Sequence, residues 1–319
     1  MNVAVLGLGF MGATHVKAWG TVKGATLAGV MSSDAAKLAG DLTMVRGNLG
    51  GDIRRVDLGS ARKFALVESA LADPTIEAVD ICLPTDLHAP VATAALRAGK
   101  HVLVEKPMAL DFKSACAVCA AAEQTGRVLM PGQVLRFIPA YRTLSQWLKG
   151  RQVGSALFQR RCGLPVWSGW LSDASRSGGA VLDLLIHDID FCISVWGMPE
   201  AVRASGSKDA GVDLFHAELL YPGSSPVVIE GGWHQPWDFP FSMGYAVKAE
   251  GATREWSSED GDNGDTVDPF AAELQYFADC VNTGTPPDFC PPRQSAQSVA
   301  LARFILESRE ANGAIVRTS

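Results

Sequence analysis

Two features that would direct the protein to nucleic acid or to a membrane are missing from the sequence. Its 34 Asp and Glu residues outnumber its 28 Lys and Arg residues, which gives a net charge of −6, and the basic residues form no concentrated patch. Binding to phosphate backbones depends on such a patch, so we expect no nucleic-acid partner. The longest apolar stretches have the length of a strand or are interrupted by charge and glycine, so we expect no membrane span.

We also expect neither a secretory leader nor a framework of paired cysteines. Met1 runs directly into a strand-like apolar segment without a basic start or a small-residue cleavage site. The seven cysteines are an odd number with no metal-type spacing. Cys116 and Cys119 have C-x-x-C spacing, but their alanine-rich surroundings favour small buried thiols in a helix over redox or zinc chemistry. Reduced cysteines fit a cytoplasmic protein, and we predict no metal site.

The first positive signal is a glycine loop near the start of the chain. Apolar residues 2–6 predict a strand, which is followed by Gly7-Leu8-Gly9-Phe10-Met11-Gly12 and then by a helical pattern to about Val22. This is the context that a dinucleotide-binding G-x-G-x-x-G motif requires. Gly7 permits the tight turn, Gly9 lets a pyrophosphate approach the backbone, and Gly12 lets the helix pack closely. The helix N-terminus would then face the phosphates.

Strands and helices alternate after this motif. We predict strands at 26–31, 78–83, 101–104 and 128–130, and helices at 87–98 and 111–124. Such alternation is typical of a doubly wound parallel sheet, so residues 1–131 are predicted to form a Rossmann domain. A glycine turn in another α/β fold is the alternative. Residues 43–63 fit the alternation poorly and are expected to form an irregular loop near the adenosine end of the cofactor.

The end of the second predicted strand bears on the identity of the cofactor. An NAD site places an acid about 20 residues after the glycines, to bind the ribose hydroxyl. That position is Ser32 here, followed by Ser33, and with Lys37 these side chains would suit the 2′-phosphate of NADP. Asp34 is expected to cap the next helix. NADP(H) is therefore favoured, and NAD stays possible if the strand ends nearer to Asp34.

Four further segments form a recognisable set of motifs: Pro84-Thr85-Asp86-Leu87-His88, Glu105-Lys106-Pro107 with the strand before it, Arg136 to Tyr141, and the segment from Ser177 to Asp190 that contains Gly178-Gly179, Asp183 and His187. These motifs resemble the Gfo/Idh/MocA oxidoreductases, a family that includes inositol dehydrogenases, glucose–fructose oxidoreductase and dihydrodiol dehydrogenases. The resemblance is strongest from Val3 to about Val202 and weaker beyond it.

The resemblance implies a second domain, residues 132–319, of α+β class with an open, mostly antiparallel sheet. One face of that sheet often forms a dimer interface in the family, so a homodimer or homotetramer through it is expected. The sequence agrees, because strand-like runs at 201–206, 214–221, 227–233 and 245–250 are separated by Gly and Pro. A C-terminal helix at 295–310 is expected to pack near the Rossmann domain.

The resemblance also implies a catalytic group of Lys106, Asp183 and His187. Lys106 follows a predicted Rossmann strand, at the edge where such sheets bind ligands, although a lone lysine there is usually an ordinary surface residue. Asp183 and His187 are four residues apart, so on a helix they share one face, and a carboxylate beside an imidazole raises its basicity. A buried structural pair is the alternative to this interpretation; a metal site lacks an evident third ligand.

These observations predict an NAD(P)-dependent oxidoreductase acting on a hydroxyl or carbonyl group of a sugar, a cyclic polyol or a related small molecule. We expect His187, supported by Asp183, to accept the hydroxyl proton while Lys106 hydrogen-bonds the same oxygen. A non-catalytic NAD(P)-sensing regulator on the same scaffold is the alternative.

Two residue sets follow from this prediction. The positions expected to contact cofactor are Gly7, Gly9, Phe10, Met11, Gly12, Ser32, Ser33, Lys37, Pro84, Thr85, His88, Glu105 and Lys106. The positions expected to contact substrate are Lys106, Arg136, Trp170, Asp183 and His187. For three of these a structural role is an open alternative: His88 as the start of a helix, Arg136 as a packing residue and Trp170 as a core or interface residue.

Overall fold

The alternation predicted for the first half of the chain is present in the structure. The computed structural model describes residues 1–47, 54–209, 212–260 and 267–318. The chain divides into two compact units, Met1–Phe137 with Val267–Ala296, and Ile138–Thr266 with Gln297–Ser319. Within the described ranges, no helix has both the length and the apolar composition that crossing a bilayer requires.

The first unit is built on a six-stranded parallel sheet in the order β3-β2-β1-β4-β5-β6. Its strands are β1 Asn2–Leu6, β2 Thr26–Met31, β3 Arg62–Phe64, β4 Ala78–Ile81, β5 His101–Val104 and β6 Leu129–Pro131. Its helices are α1 Phe10–Trp19, α2 Ala35–Leu38, α3 Val67–Ala72, α4 His88–Arg97, α5 Phe112–Thr125 and α10 Pro269–Thr283, with 3-10 turns at Thr85–Leu87 and Val134–Phe137. This order is that of a Rossmann fold, as predicted.

The ends of these helices follow from local sequence. Asp111 accepts a hydrogen bond from the Ser114 N–H at the start of α5, and Gly126 ends the helix in the left-handed region, at φ 65°. Asp268 caps α10 in the same way, and Gly284 ends it at φ 68°. An acid before a helix and a glycine after it are the expected stop signals.

One strand of this sheet was not predicted. Residues 43–63 were expected to be irregular, but β3 begins at Arg62 and pairs in parallel with β2. A three-residue edge strand with two basic residues has too short an apolar pattern for recognition. Residues 48–53 lie outside the described residues.

The second unit is built on a mixed, mostly antiparallel sheet in the order β13-β12-β7-β11-β10-β8-β14, with β9 paired to β10. Its strands are β7 Val153–Gly163, β8 Ala201–Ser205, β9 Lys208–Asp209, β10 Val212–Leu220, β11 Val227–Gln235, β12 Ser242–Ala249, β13 Ala252–Ser257 and β14 Val316–Arg317. Its helices are α6 Pro139–Leu148, α7 Gly169–Ser172, α8 Ala174–Ser177, a π-helical segment Val181–Leu185 and α9 Ile186–Trp196, with a 3-10 turn Ser258–Asp260. The pairing of β7 with β11 is parallel, and the other pairings are antiparallel.

The division of the chain differs from a single boundary after residue 131. The first unit continues to Phe137 and takes in Val267–Ala296, because Leu274 and Phe277 of α10 are fully buried in the same core as Trp19. The last helix, α11 Pro292–Glu310, is assigned to the second unit from Gln297 onward. There Ser298 donates to Asp190 and Arg309 pairs with Asp213.

Candidate active site

The glycine loop after β1 has the geometry of a phosphate cradle. A Cβ on Gly7, whose φ is +103°, would lie 2.5 Å from the Cys82 carbonyl oxygen, and one on Gly12 would lie 1.8 Å from the Gly7 carbonyl oxygen. A Cβ on Gly9 would meet no atom within 4 Å among the described residues. The first and third glycines therefore close the loop on itself, and the second leaves open space where α1 begins. That space at a helix N-terminus fits a pyrophosphate.

The second strand, β2, ends where the sequence analysis placed its end. The strand ends at Met31, and the buried Ser32 hydroxyl accepts a hydrogen bond from the Asp34 N–H at 3.1 Å. The Asp34 carboxylate accepts from the Ala36 N–H at 2.9 Å and caps α2, as expected. Ser33 is exposed and Lys37 is half-buried on α2. A neutral serine rather than an acid thus stands directly after this strand.

The segment after β4 lies beside the glycine loop. β1 and β4 are neighbours in the sheet although β2 and β3 intervene in the chain, so the strand order reverses here. Ligands of open α/β sheets bind at this switch point. Pro84 is partly exposed, whereas Thr85 is buried in the 3-10 turn that follows. The predicted cofactor positions 7–12, 84 and 85 therefore meet at one edge of the sheet.

His88 begins α4 and faces the turn that contains Lys106. Its Nδ1 lies 2.8 Å from the Pro107 carbonyl oxygen, and its Nε2 lies 2.7 Å from the Leu83 carbonyl oxygen. Burial lowers the pKa of His88, although both carbonyl contacts oppose this effect. The side chain therefore connects the segments after β4 and β5, and its contact with cofactor stays a prediction.

Lys106 is half-buried directly after the buried Glu105, past the end of β5. The Lys106 N–H donates to Glu105 Oε2 at 3.0 Å. The other oxygen, Glu105 Oε1, lies 3.1 Å from His15 Nε2. Burial raises the pKa of Glu105, but the contact with His15 and the charge of Lys106 outweigh it and hold the pKa below its usual range.

His15 and Asp80 form a buried pair that the sequence analysis did not identify. His15 Nδ1 lies 2.9 Å from Asp80 Oδ2, and Trp19 Nε1 donates to the same oxygen at 2.8 Å. Burial opposes protonation of His15, but the carboxylate of Asp80 outweighs it and raises the pKa well above its usual value. A sequence signal existed, because an acid inside an apolar strand needs a buried partner.

Two more titratable groups face this pair. The thiol of Cys82 lies 3.4 Å from His15 Nδ1, and burial raises its pKa. Ligand atoms of His15, Asp80 and Cys82 lie within 4.8 Å of one another, a proximity that these hydrogen bonds account for. From α10, the fully buried Glu273 contributes a carboxyl group whose pKa is raised well above its usual value, first by burial and then by Glu105.

Arg136, a predicted substrate contact, is buried in the first unit. Its guanidinium donates to the Phe289 carbonyl oxygen and to Gln294 Oε1, each at 2.7 Å. These bonds join the two stretches of chain that make up the first unit, Met1–Phe137 and Val267–Ala296. The packing role left open by the sequence is therefore present, and contact with substrate stays a prediction.

In the second unit, Asp183 and His187 lie on one face of an otherwise buried segment. Between Ala180 and Ile193, Asp183 and His187 are partly exposed, and all the remaining residues are buried. Asp183 is in the π-helical segment Val181–Leu185 and His187 is in α9, so the uniform α-helix expected from the spacing is not present. Short π-helical segments within α-helices are frequent at functional sites.

A buried acid anchors the start of this segment. Asp213 Oδ2 on β10 accepts the Ala180 N–H at 2.8 Å, and Asp213 Oδ1 pairs with Arg309 at 2.6 Å. Gly179 has a φ of +76°, and a Cβ there would lie 2.9 Å from Asp213 Oδ2. The second glycine of the Gly178-Gly179 pair thus lets the backbone approach this carboxylate.

A second buried acid follows His187 directly. Asp188 Oδ2 accepts a hydrogen bond from Arg160 Nε at 2.6 Å, and both side chains are buried. Burial raises the pKa of Asp188, although Arg160 opposes this effect. The ion pair fixes α9 on β7 next to His187. Trp170 lies apart from these contacts, half-buried in α7, and its contact with substrate stays a prediction.

Comparison with known proteins identifies relatives of both units. The family model described as "Oxidoreductase family, NAD-binding Rossmann fold" (GFO_IDH_MocA) matches residues 1–133, and the "GFO/IDH/MocA C-terminal domain" matches residues 151–253. The 1,5-anhydro-D-fructose reductase of Ensifer adhaerens is 32% identical over 159 residues, 48% of this chain and 48% of that protein. The scyllo-inositol 2-dehydrogenase (NAD(+)) of Bacillus subtilis is 26% identical over 320 residues, 90% of this chain and 88% of that protein.

These alignments differ in how much of each chain they cover. At 30% identity or more, the chain spans about half the length of the curated relatives that it matches. A crystal structure of scyllo-inositol dehydrogenase from Lactobacillus casei with bound NAD(H) and scyllo-inositol has a TM-score of 0.82 at 20% identity, covering 100% of this chain and 99% of that chain. At this identity the likeness establishes the fold alone.

Proposed function

Because the chain belongs to the Gfo/Idh/MocA family of NAD-binding Rossmann oxidoreductases, we propose that it transfers a hydride between a nicotinamide cofactor and a hydroxyl or carbonyl carbon of a sugar, a cyclic polyol or a related small molecule. The main supporting observation is the position of Lys106 past the end of β5, near the switch point of the sheet. The names of two relatives, an anhydrofructose reductase and an inositol dehydrogenase, support the substrate class.

The residues of the first unit fit a dinucleotide. Gly7, Gly9 and Gly12 would hold the pyrophosphate, because only Gly9 leaves open space at the start of α1. Phe10 and Met11 are partly exposed beside it. Thr85 and His88 would line the nicotinamide end. The nicotinamide, when bound, supplies the hydride chemistry, and the protein supplies position and electrostatics.

The preference for NADP(H) is also part of this proposal. Ser32 lies directly after β2, where a carboxylate would repel a 2′-phosphate, and Asp34 is engaged as the cap of α2. Lys37 supplies a positive charge on that helix. Titration with NADPH and NADH tests this assignment. Much tighter NADPH binding is expected, and tighter NADH binding would overturn the preference.

Each catalytic residue has a separate proposed role. The Lys106 ammonium hydrogen-bonds the substrate oxygen and stabilises negative charge on it. His187 Nε2 or Nδ1 accepts the hydroxyl proton in oxidation, and the Asp183 carboxylate stabilises the resulting imidazolium. Asp183 and His187 are the two partly exposed residues of an otherwise buried segment, so both side chains are accessible to a ligand.

Turnover of a panel of sugars and cyclic polyols tests the activity. On any substrate found, Lys106→Ala and His187→Ala are expected to lower kcat by about 10²-fold or more, with Lys113→Ala, an exposed lysine on α5, as the matched control. Full turnover by both variants would overturn the assignment. Cofactor binding without turnover of any panel member would instead support a non-catalytic NAD(P)-sensing regulator.

A homodimer or homotetramer through the second sheet is a further part of the proposal. Burial alternates along β10, where Phe215, Ala217 and Leu219 are buried and the residues between them are partly exposed. A sheet with one partly apolar open face is suited to self-association. Light scattering after size exclusion tests it, and a monomer at micromolar concentration would contradict it.

A cytoplasmic location also remains a proposal. All seven cysteines are free thiols; six of them are buried, and Cys116 is partly exposed. Disulfides are typical of oxidising compartments. Alkylation and mass spectrometry of the protein from its native cell should find seven thiols, whereas a disulfide would contradict the location.

A further inference from the structure

Glu105 uses its two carboxylate oxygens for two different contacts. Oε2 accepts the backbone N–H of Lys106 at 3.0 Å, and Oε1 lies 3.1 Å from His15 Nε2. The carboxylate is buried, and its backbone N–H is itself bonded to the Ile81 carbonyl oxygen of β4 at 3.0 Å. The orientation of this side chain therefore sets the conformation of the peptide that introduces Lys106.

The contacts of His15 continue away from Lys106. Its other nitrogen, Nδ1, lies 2.9 Å from Asp80 Oδ2 on β4, and Trp19 donates to the same oxygen. His15 and Trp19 are both on α1, the helix that begins at the glycine loop. One buried network thus joins the cofactor-loop helix, β4 and the turn after β5.

The surroundings of His15 favour a cationic imidazole. One ring nitrogen lies 2.9 Å from an Asp80 oxygen and the other lies 3.1 Å from a Glu105 oxygen, and an imidazole can present an N–H on both sides only when it is protonated. The other titratable groups around it are the Cys82 thiol and, from α10, the Glu273 carboxyl, and burial raises the pKa of both, which favours their neutral forms. The cation of His15 is compensated by Asp80 and Glu105.

We propose that His15 and Asp80 are positioning residues, which orient the Glu105 carboxylate and through it hold the Lys106 backbone in a fixed place at the end of β5. The role of Lys106 itself rests on the proposed function. A role in folding alone would depend only on filling the buried space. A positioning role depends on a donor at the place of His15 Nε2, and this difference makes the inference testable.

Two substitutions of His15 separate these roles. In His15→Gln the side-chain amide reaches about as far as Nε2 and keeps a donor toward Glu105, whereas in His15→Asn it reaches only the place of Nδ1 and keeps the contact with Asp80. Lys100→Met is the control for lost stability, because Lys100 bonds the Asp73 and Ile76 carbonyl oxygens at the opposite end of β5. Trp19→Phe is a milder change that removes one donor to Asp80.

The first readout is hydrogen exchange of the Lys106 amide in the full-length protein without added substrate. Overlapping peptides across residues 100–112 isolate it, since Pro107 has no amide hydrogen. In His15→Asn we expect exchange at Lys106 to be about tenfold or more faster, while β5 stays protected; in His15→Gln and Lys100→Met it should stay within about threefold of the wild type. Trp19→Phe should lie between these limits.

The second readout is steady-state kinetics on a substrate from the panel. In His15→Asn, kcat is expected to fall about 10–100-fold, since small displacements of catalytic groups have effects of this size, with little change in KM for cofactor; His15→Gln should recover most of the loss. Equal exchange and equal kcat in the Asn and Gln variants would overturn the positioning role. If Lys106→Ala retained turnover, the proposed function would fail, whereas the exchange result would still decide whether His15 orders the turn.

Discussion

The two units compensate their buried acids in different ways. In the first unit one imidazole, His15, lies between Asp80 and Glu105, and the carboxyl of Glu273 is buried beside them. In the second unit two of the buried acids pair with a guanidinium, Asp188 with Arg160 and Asp213 with Arg309. A guanidinium keeps its charge throughout the pH range of proteins, whereas an imidazole does not.

This difference predicts which changes lower the stability of each unit. The second unit should respond to loss of a partner, because the guanidinium groups of its two pairs keep their charge at neutral and alkaline pH. The first unit should respond to pH itself, because raised pKa values of His15 and Glu273 mean that its folded state holds protons that the unfolded chain releases. Three substitutions examine this contrast.

The largest effect is expected from Arg160→Met, which leaves Asp188 buried without its guanidinium. Breaking such a pair costs about 3–5 kcal/mol of the free energy of unfolding, and the loss should be at least as large at pH 9 as at pH 7, because the buried Asp188 carboxyl without Arg160 favours the protonated form. Urea unfolding at both pH values measures it. Arg151→Met removes the exposed pair with Glu250 and should cost about 1 kcal/mol or less. Equal losses in the two variants would show that burial does not distinguish the pairs.

Glu273→Gln addresses the first unit and should change the pH dependence. A carboxyl with a raised folded-state pKa stabilises the fold below its unfolded value of about 4.5, and this contribution is lost as the pH rises toward the folded value. Between pH 5 and 6, wild-type stability should therefore fall more steeply with rising pH than that of the variant, which has no carboxyl at this position. Parallel pH profiles would contradict a protonated Glu273.

Arg203→Met is expected to have the smallest effect. Arg203 pairs with Glu218 at 2.5 Å across β8 and β10, but its side chain is 54% exposed, so its loss should cost about 1 kcal/mol or less. The measurement is the unfolding midpoint at two protein concentrations. A larger loss that depends on concentration would place this face in a subunit interface.

The strands that could be predicted are those whose sequence alone sets their ends. β2 and β5 were predicted at 26–31 and 101–104, as the structure has them, because each is an apolar run ended by polar residues or glycine. β7 was missed, although it is the longest strand of the second unit among those described, because Gln159, Arg160 and Arg161 break its apolar pattern. The partner of Arg160 is Asp188 on a helix distant in sequence, and local sequence gives no sign of it.

The candidate site shows the same limit. Ser32 and the Asp34 cap follow from where β2 ends, and the glycine loop follows from its motif. His15 lies three residues after the last glycine of that motif, and the motif does not predict its contacts, because they are made with Asp80 on β4 and with Glu105 just after β5. Contacts made across a sheet become visible only when the strand order is known.

The packing of α10 into the core of the first unit affects when this unit can fold during synthesis. Trp19 packs edge-on against Phe277, with ring centroids 6.5 Å apart, and Leu274 and Ala278 are buried in the same core. A ribosome that has translated residues 1–137 has therefore not yet made part of the core that those residues need. We expect the first unit to complete its folding only after residues 267–296 have been translated, so residues 1–137 must wait, incompletely buried, for α10.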